Sequence, residues 1–257
     1  VLNPKIKTLA PVREWEFRSR DEEIAYAKEH KIPIDVTKKS PYSIDKNLWG
    51  ISIECGVLED PFVEPPEDAF QMTTKVLGTK KPRYIEITFE KGIPVALDGV
   101  RREPVTLIMK LNELAGAYGI GRSDMVENRL VGIKSREVYE APAAMVLVTA
   151  HKDLEALTLD RETTHFKEMV ALKYADLIYY GLWYTPLKKA LDSFIDATQK
   201  KVSGVIRMKL EPGNCITVGR KSKESLYKEE LATYTEKDTF DQKLAKGFIE
   251  IWAMPYK

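Results

Sequence analysis

Two short segments of the sequence carry polar side chains whose types suit the recognition of a small charged molecule. "SPYSIDKNLWGIS" contains Ser43 and Ser52 in a stretch rich in Asp, Asn and Gly, and "ENRLVGIKSREVYE" contains Glu127 and Tyr139. A carboxylate pairs with an α-ammonium group, while hydroxyls bind carboxylate or urea oxygens. Together these four residues would suit a zwitterionic amino acid. The residues alone do not separate that interpretation from ordinary polar loop chemistry.

Other residues with reactive or aromatic side chains are better explained by structural roles than by catalysis or ligand binding. His30, His151 and His165 lack metal-ligand or triad spacing, so we expect no catalytic or metal-binding histidine. "GAYGIGR" (116–122) follows a predicted helix and matches no phosphate-loop pattern, so it predicts a helix end and a tight turn. Four aromatic residues lie in a stretch of helical periodicity, which favours packing over base stacking; they are Tyr179, Tyr180, Trp183 and Tyr184.

The bulk composition excludes several function classes. The 257 residues contain 40 Lys and Arg against 39 Asp and Glu, so no overall field attracts nucleic acid or an anionic membrane. The longest apolar stretches are too short to span a bilayer. Cys55 and Cys215 are 160 positions apart and form no disulfide framework or metal-ligand pair, which favours a cytoplasmic protein.

Hydrophobic periodicity predicts the elements that must position these residues. Ser19 and Glu22 predict a capped helix that ends near His30. Ile85, Ile87 and Phe89 alternate with polar residues and predict a hairpin with Lys91-Gly92 as its turn and Pro94 near a sheet edge. A helical face predicts a helix that ends in the glycines after residue 115; its members are Leu107, Ile108, Leu111, Leu114 and Ala115.

The remaining segments complete an α+β class with a largely antiparallel sheet. A short strand that runs into a proline-broken loop is predicted in "IKTLAPVREW" (6–15). Strands are also predicted at 51–54, in "AAMVLVTA" (143–150), in "GVIRMKLEPGNCITVGR" (204–220) and in "GFIEIWAM" (247–254). Residues 154–200 predict two helices, broken around Gly181 and Pro186. Residues 31–50 predict an irregular loop, and the proline-rich residues 59–82 an exposed connection. The elements alternate without a regular βαβ period.

Several long blocks, in order and without large gaps, resemble the argininosuccinate synthetase (synthase) family. They are "SPYSIDKNLWGISIECGVLEDP", "GRSDMVENRLVGIKSREVYEAPAA", "HKDLEALTLDRE" and "SLYKEEL". The similarity extends from "IKTLAPVREWEF" to "GFIEIW". Family members carry a nucleotide-binding domain ahead of this region, with the residues that hold ATP and aspartate. We therefore expect this chain to correspond to their second domain, with residues 1–35 as the junction and residues 36–257 as the synthetase and oligomerisation domain.

The resemblance also implies roles for single residues. In the family, the serine of "PYS", the serine after "NLWGI", the glutamate of "VEN" and the tyrosine of "SREVYE" contact citrulline. Here they are Ser43, Ser52, Glu127 and Tyr139. The resemblance further implies a homotetramer and ATP as co-substrate, with Mg²⁺. It places no catalytic, metal or nucleotide-binding residue in this chain.

Three functions remain open from the sequence. The first is ATP-dependent ligation of citrulline and aspartate, in which the citrulline ureido oxygen attacks the α-phosphate and aspartate then displaces AMP. The second is a non-catalytic module that binds an amino acid and assembles into oligomers. The third, nucleic-acid binding, depends only on the aromatic residues and the Lys-Lys pairs, and balanced charge argues against it.

Overall fold

The computed structural model describes residues 3–34, 42–75, 78, 80–233, 235–236 and 238–256. The strands of this described part are β1 (Ser43–Lys46), β2 (Ile51–Glu54), β3 (Arg83–Glu90), β4 (Ile93–Leu97), β5 (Val100–Arg101), β6 (Arg122–Asn128), β7 (Lys134–Glu140), β8 (Gly204–Glu211) and β9 (Asn214–Lys221). Its α-helices are α1 (Arg20–Glu29), α2 (Pro104–Gly116), α3 (Pro142–Thr158), α4 (Arg161–Tyr179), α5 (Pro186–Gln199), α6 (Glu229–Ala232) and α7 (Lys243–Trp252).

The strands form two antiparallel sheets, which confirms the predicted α+β class. The four-stranded sheet has the order β1-β2-β7-β6, and the five-stranded sheet has the order β5-β4-β3-β8-β9. The domain boundary predicted after residue 35 lies outside the described residues. In this part of the chain, every helix is too short or too polar to cross a lipid bilayer.

The main hydrophobic core lies between the five-stranded sheet and the helices α2 and α3. Alternate residues of β3 and β8 point to this core because side chains of a strand alternate between its two faces. The helices contribute residues at three- and four-residue spacing, which lie on one face of a helix. Fully or almost fully buried members are Ile85, Ile87, Phe89, Leu107, Leu111, Val146, Ala150, Ile206, Met208 and Leu210.

The predicted β3–β4 hairpin is confirmed, with Lys91 and Gly92 in its turn at positive φ. Pro94 lies in β4, whose outer neighbour is the two-residue edge strand β5. The predicted strand pair at 204–220 is also confirmed as β8 and β9. These segments were predictable because alternation and turn residues agree in them.

The helices α1, α2, α4 and α5 confirm most of the helical predictions. The Ser19 hydroxyl accepts a hydrogen bond from the Glu22 amide at 3.4 Å, so Ser19 caps α1 as predicted. Glu22, however, accepts from the amide of Arg18, at 2.7 Å, and not from that of Ser19. α4 and α5 are separated at residues 180–185, as Gly181 and Pro186 indicated.

The strand predicted at 143–150 is wrong, because this segment is the first half of α3. Pro142 occupies the first turn of the helix, where its missing N–H costs no hydrogen bond. Ala143, Val146, Leu147 and Ala150 are buried at helical spacing, whereas Val148 between them is exposed. A continuous apolar run does not distinguish a buried strand from a helix. The predicted helix from residue 154 therefore starts at Pro142 and breaks near Asp160, which caps α4.

Further predictions are wrong. The strand predicted at 247–254 is the helix α7 with its following turn, and the short strand predicted before Pro11 is irregular, whereas the predicted proline-broken loop is present with a 3₁₀ turn at Pro11–Arg13. Ile6 and Leu9 are 68% and 85% exposed, so the described part of the chain covers no strand there. The loop predicted at 31–50 is only partly described, and its described part contains β1. The aromatic residues Tyr179, Tyr180, Trp183 and Tyr184 are each more than 40% exposed, so this chain does not itself pack them away.

Candidate functional site

The four-stranded sheet has two faces of different composition. Its antiparallel register places Ser52 opposite Tyr139, and Ser135 opposite Glu127. Directly paired residues lie on the same face of a sheet, and so do residues two apart along one strand. The resulting surface, here called the polar face, consists of Ser43, Asp45, Ser52, Glu54, Ser123, Met125, Glu127, Ser135, Glu137 and Tyr139. All four predicted site residues lie on it.

The opposite face holds the sheet in place. Ile51, Ile53 and Val138 are buried there against Tyr42, Leu58 and Ala69, in a cluster separate from the main core. Burying apolar area stabilises by about 25 cal/mol per Å². Because these apolar residues are buried on one face, the alternation of side chains along each strand places the polar residues on the other face.

Glu127 and Tyr139 lie on the neighbouring strands β6 and β7 and contact each other across the polar face. The Tyr139 hydroxyl donates a hydrogen bond to Glu127 Oε2 at 2.9 Å. Burial, and then the neighbouring Glu127 carboxylate, raise the pKa of Tyr139, so the phenol stays neutral and remains a donor. No cation in the described part of the chain lies within ion-pair distance of Glu127. The carboxylate is therefore oriented by a phenol and left open to a positively charged ligand.

Ser52 lies beside this pair, and Ser43 lies further along the sheet. Ser52 and Tyr139 line a shallow pocket of about 210 Å³ that Asn47 and Trp49 also border. Ser43 pairs with Glu54, so it shares the polar face. No hydrogen bond links Ser43 to the other three residues in the described structure. The structure thus brings three predicted residues together and places the fourth on the same surface.

Three charged residues of the site were missed by sequence reasoning. Arg129 Nη2 donates to Glu54 Oε2 and to Glu137 Oε1, each at 2.9 Å. The Glu137 side chain is only 8% exposed. Burial and then the nearby Glu54 raise the pKa of Glu137 to about 7. The two-residue alternation of "SREVYE" and "ISIE" was the signal that could have placed both glutamates beside Tyr139 and Ser52.

Glu140 ends β7 with a different role. It is fully buried on the opposite side from Tyr139, and its oxygens accept hydrogen bonds from the backbone amides of Gln71, Met72 and Thr73 at 2.7–3.1 Å. The Thr73 hydroxyl also donates to it. This carboxylate therefore fastens the connection 71–73 to the sheet. Sequence reasoning had predicted only an exposed connection across 59–82, of which residues 76, 77 and 79 are not described.

Among the described residues, no three His, Cys, Asp or Glu side chains are grouped so that they could hold a metal ion. His151 contacts Gln199 at 2.9 Å and the ring of Phe89, and burial lowers its pKa. "GAYGIGR" ends α2 and turns into β6, as predicted, with Gly119 and Gly121 at positive φ. The polar face therefore offers hydrogen-bond donors, acceptors and charge, and it suits recognition of a polar ligand.

The family of the chain follows from comparison with known proteins. A family model described as the arginosuccinate synthase C-terminal domain matches residues 42–257, which include the whole polar face. The chain belongs to the argininosuccinate synthase family. It is 58% identical to the argininosuccinate synthase of Chlorobium limicola, 57% to that of Chlorobaculum tepidum and 59% to that of Bacillus licheniformis. Each match covers all of this chain.

The argininosuccinate synthase relatives are longer than the chain. It spans 64% of the length of each of these three proteins. The family model and the relatives agree with the resemblance seen in the sequence blocks.

Proposed function

We propose that the chain supplies the citrulline-binding part of an ATP-dependent ligase that joins citrulline and aspartate to argininosuccinate. AMP and pyrophosphate are the other products. One observation carries this proposal: Glu127, oriented by Tyr139 at 2.9 Å and without an ion-pair partner in the described chain, lies on one face with Ser52 and Ser43. The names of the relatives support the same reaction.

Each residue has a distinct proposed role. Glu127 binds the α-ammonium group of citrulline through a charge-assisted hydrogen bond. Ser43, Ser52 and Tyr139 bind the polar ends of the amino acid, and Tyr139 also fixes the direction of the Glu127 carboxylate. None of these groups forms a covalent bond to the substrate.

The proposed chemistry depends on positioning. The ureido oxygen of citrulline is a poor nucleophile, and its attack on the α-phosphate requires close alignment. Well-oriented reactants gain about 7–11 kcal/mol from effective concentration. The relatives contain sequence beyond the matched part, and we assign ATP with Mg²⁺, and aspartate, to that additional part. The polar face would then hold citrulline against the nucleotide.

Replacing Glu127 by Gln tests the proposal. The substitution removes the charge with little change in shape, so the KM for citrulline should rise about ten- to a hundredfold, because a hydrogen bond to a charged group contributes about 1.5–3 kcal/mol. The KM for ATP should change little. Steady-state kinetics of pyrophosphate release by the intact protein, with each substrate varied in turn, measure both constants.

Glu90→Gln is the matched control, because Glu90 pairs with Arg101 in the five-stranded sheet, away from the polar face. It should leave both KM values unchanged. Equal increases in the two KM values for Glu127→Gln would contradict a role in citrulline binding.

A second candidate function, a non-catalytic amino-acid-binding and assembly module, is favoured by the surface of α7. Leu244, Phe248, Ile251 and Trp252 recur at helical spacing and are 63–70% exposed. Such an apolar stripe on one helix face is typical of a surface that another chain buries. We propose that it contributes to a homotetramer. Pyrophosphate release in the presence of all substrates separates the ligase from the module.

Phe248→Glu should lower the molar mass of the intact protein measured by light scattering, because a charge is then placed in the apolar stripe. Lys246→Glu is the matched control, since Lys246 lies on the other side of α7. An unchanged mass for Phe248→Glu would mean that the stripe is not an assembly surface.

A further inference from the structure

Near Arg129, the carboxylates of the polar face outnumber the cations. Three carboxylates of this face act on one guanidinium, that of Arg129; they are those of Glu54, Glu127 and Glu137. Arg129 Nη2 contacts Glu54 and Glu137 at 2.9 Å each. It has no described ion pair with Glu127, although the Glu127 charge acts on it. The one cation of this described group is thus held by two carboxylates and not by the third.

Arg129 follows Glu127 by two positions, at the start of the β6–β7 turn. The Arg129 amide donates to the Ile133 carbonyl at 2.8 Å, and the Gly132 amide donates to the Arg129 carbonyl at 2.8 Å. The backbone of Arg129 is therefore fixed, while its long side chain is 46% exposed and able to change partners. If Glu54 and Glu137 lost their charge, Glu127 would remain of the three carboxylates that act on the Arg129 guanidinium.

We propose that Glu54 and Glu137 are positioning residues that hold Arg129 away from Glu127, so that the Glu127 carboxylate stays open to the ammonium group of an amino-acid ligand. This inference depends on the proposed function, since it concerns the same ligand. Neither glutamate needs to touch that ligand. Both act through the guanidinium that would otherwise neutralise Glu127.

The pair also makes the site sensitive to pH. The groups that face Glu137 are Glu54 on β2, Glu127 on β6, Arg129 in the turn and Tyr139 on β7, with Tyr179 of α4 close to Tyr139. Because the pKa of Glu137 is about 7, Glu54 and Glu137 together carry one negative charge below that pH and two above it. The second charge strengthens the hold on Arg129 and attracts an ammonium group. Affinity for the ligand should therefore rise with pH.

Calorimetric titration of L-citrulline into the intact protein at pH 6, 7 and 8 measures this effect. Affinity of the unmodified protein should rise about three- to tenfold from pH 6 to pH 8, the size expected for one added charge several ångströms away in a partly solvated site. Glu137→Gln fixes the pair at one negative charge. Its affinity should match that of the unmodified protein at pH 6 and stay constant up to pH 8. Glu90→Gln should keep the unmodified profile.

A rescue experiment separates positioning from a structural role. The double variant Glu54→Gln/Glu137→Gln releases Arg129 to pair with Glu127, so citrulline affinity at pH 8 should fall about tenfold or more, the loss expected when a charge-assisted contact is blocked. Adding Arg129→Gln removes the competing cation and should restore most of the affinity. If Glu137→Gln does not fold, as judged by circular dichroism, the pH profile of Glu54→Gln, whose side chain is 32% exposed, provides a second comparison. This variant removes one cause of the raised pKa of Glu137, so the rise in affinity should move to lower pH, and an unmoved rise would contradict the proposal.

Each outcome supports or overturns the positioning role of Glu54 and Glu137. A flat profile for Glu137→Gln together with rescue by Arg129→Gln supports the positioning role. A rise with pH that survives in Glu137→Gln, or a double variant that Arg129→Gln does not rescue, overturns it while the proposed function stands. Absence of citrulline binding to the unmodified protein at every pH overturns the proposed function and this inference with it.

Discussion

Glu140→Ala should lower the free energy of unfolding by about 3–5 kcal/mol, because it leaves several backbone donors without their charged acceptor. Glu140 is fully buried and accepts from the amides of Gln71, Met72 and Thr73. Those amides belong to a connection without regular structure, so no strand or helix partner replaces the carboxylate. The cavity left by the shorter side chain adds to the loss.

Urea unfolding followed by far-UV circular dichroism measures this loss. Glu113→Ala is the matched control. Glu113 is exposed on α2 and pairs with Lys110 three residues earlier, so the loss of unfolding free energy should stay within about 0.5 kcal/mol. Glu140→Gln keeps one acceptor oxygen, so its loss of unfolding free energy should lie between those of Glu140→Ala and Glu113→Ala. Equal stabilities of Glu140→Ala and Glu113→Ala would show that the connection is held by other contacts.

Gly121→Ala should destabilise the protein by about 2–4 kcal/mol, through backbone strain together with a steric clash. Gly121 has a φ of +101°, which L-residues with a side chain rarely adopt. A Cβ atom there would lie 2.5 Å from the backbone nitrogen and 2.6 Å from the Cα of Pro142. The Gly121 carbonyl also accepts from the Ala141 amide at 2.8 Å. The clash would thus push apart the start of β6 and the junction between β7 and α3.

Gly213→Ala separates the cost of backbone strain from that of the steric clash. Gly213 has a φ of +73°, but no atom lies within 4 Å of a Cβ built there, so only the conformational cost of about 1–2 kcal/mol applies. The difference between the two unfolding free energies measures the steric part. If Gly121→Ala costs no more than Gly213→Ala, the backbone at Pro142 moves aside without penalty.

Local patterns predicted those parts of the fold in which several signals agree. In the β3–β4 hairpin, alternation, a Lys-Gly turn and polar outer residues all point to one structure. In residues 143–150 and 247–254, apolar content was read as strand. The positions of the buried residues in α3, and of the exposed stripe in α7, follow a helical spacing instead. Tertiary burial decides such segments, and a local window does not contain it.

The candidate site was also predicted from the sequence only in part. The types of Ser52, Glu127 and Tyr139 indicated a polar amino-acid ligand, and the structure gathers them on one face. Sequence reasoning missed both contacts of Arg129. Glu54 meets Arg129 only when β2 pairs with β7, whereas Glu137 meets it within the β6–β7 hairpin, which was not predicted from the sequence. Pairing between strands more than eighty positions apart is a property of the whole fold, and it leaves only weak traces in a single sequence.

Because β2 and β7 pair through their main chains, the composition of the polar face depends on the number of residues in each strand as well as on their types. Inserting a single residue into β7 ahead of Tyr139 would exchange the two faces on one side of the insertion, so that side chains of the opposite face, such as Arg136 and Val138, would take the place of the glutamate or the phenol. A designer who wishes to change ligand preference should therefore substitute residues in place, or lengthen the turn at 129–133, and should leave the length of the strand untouched.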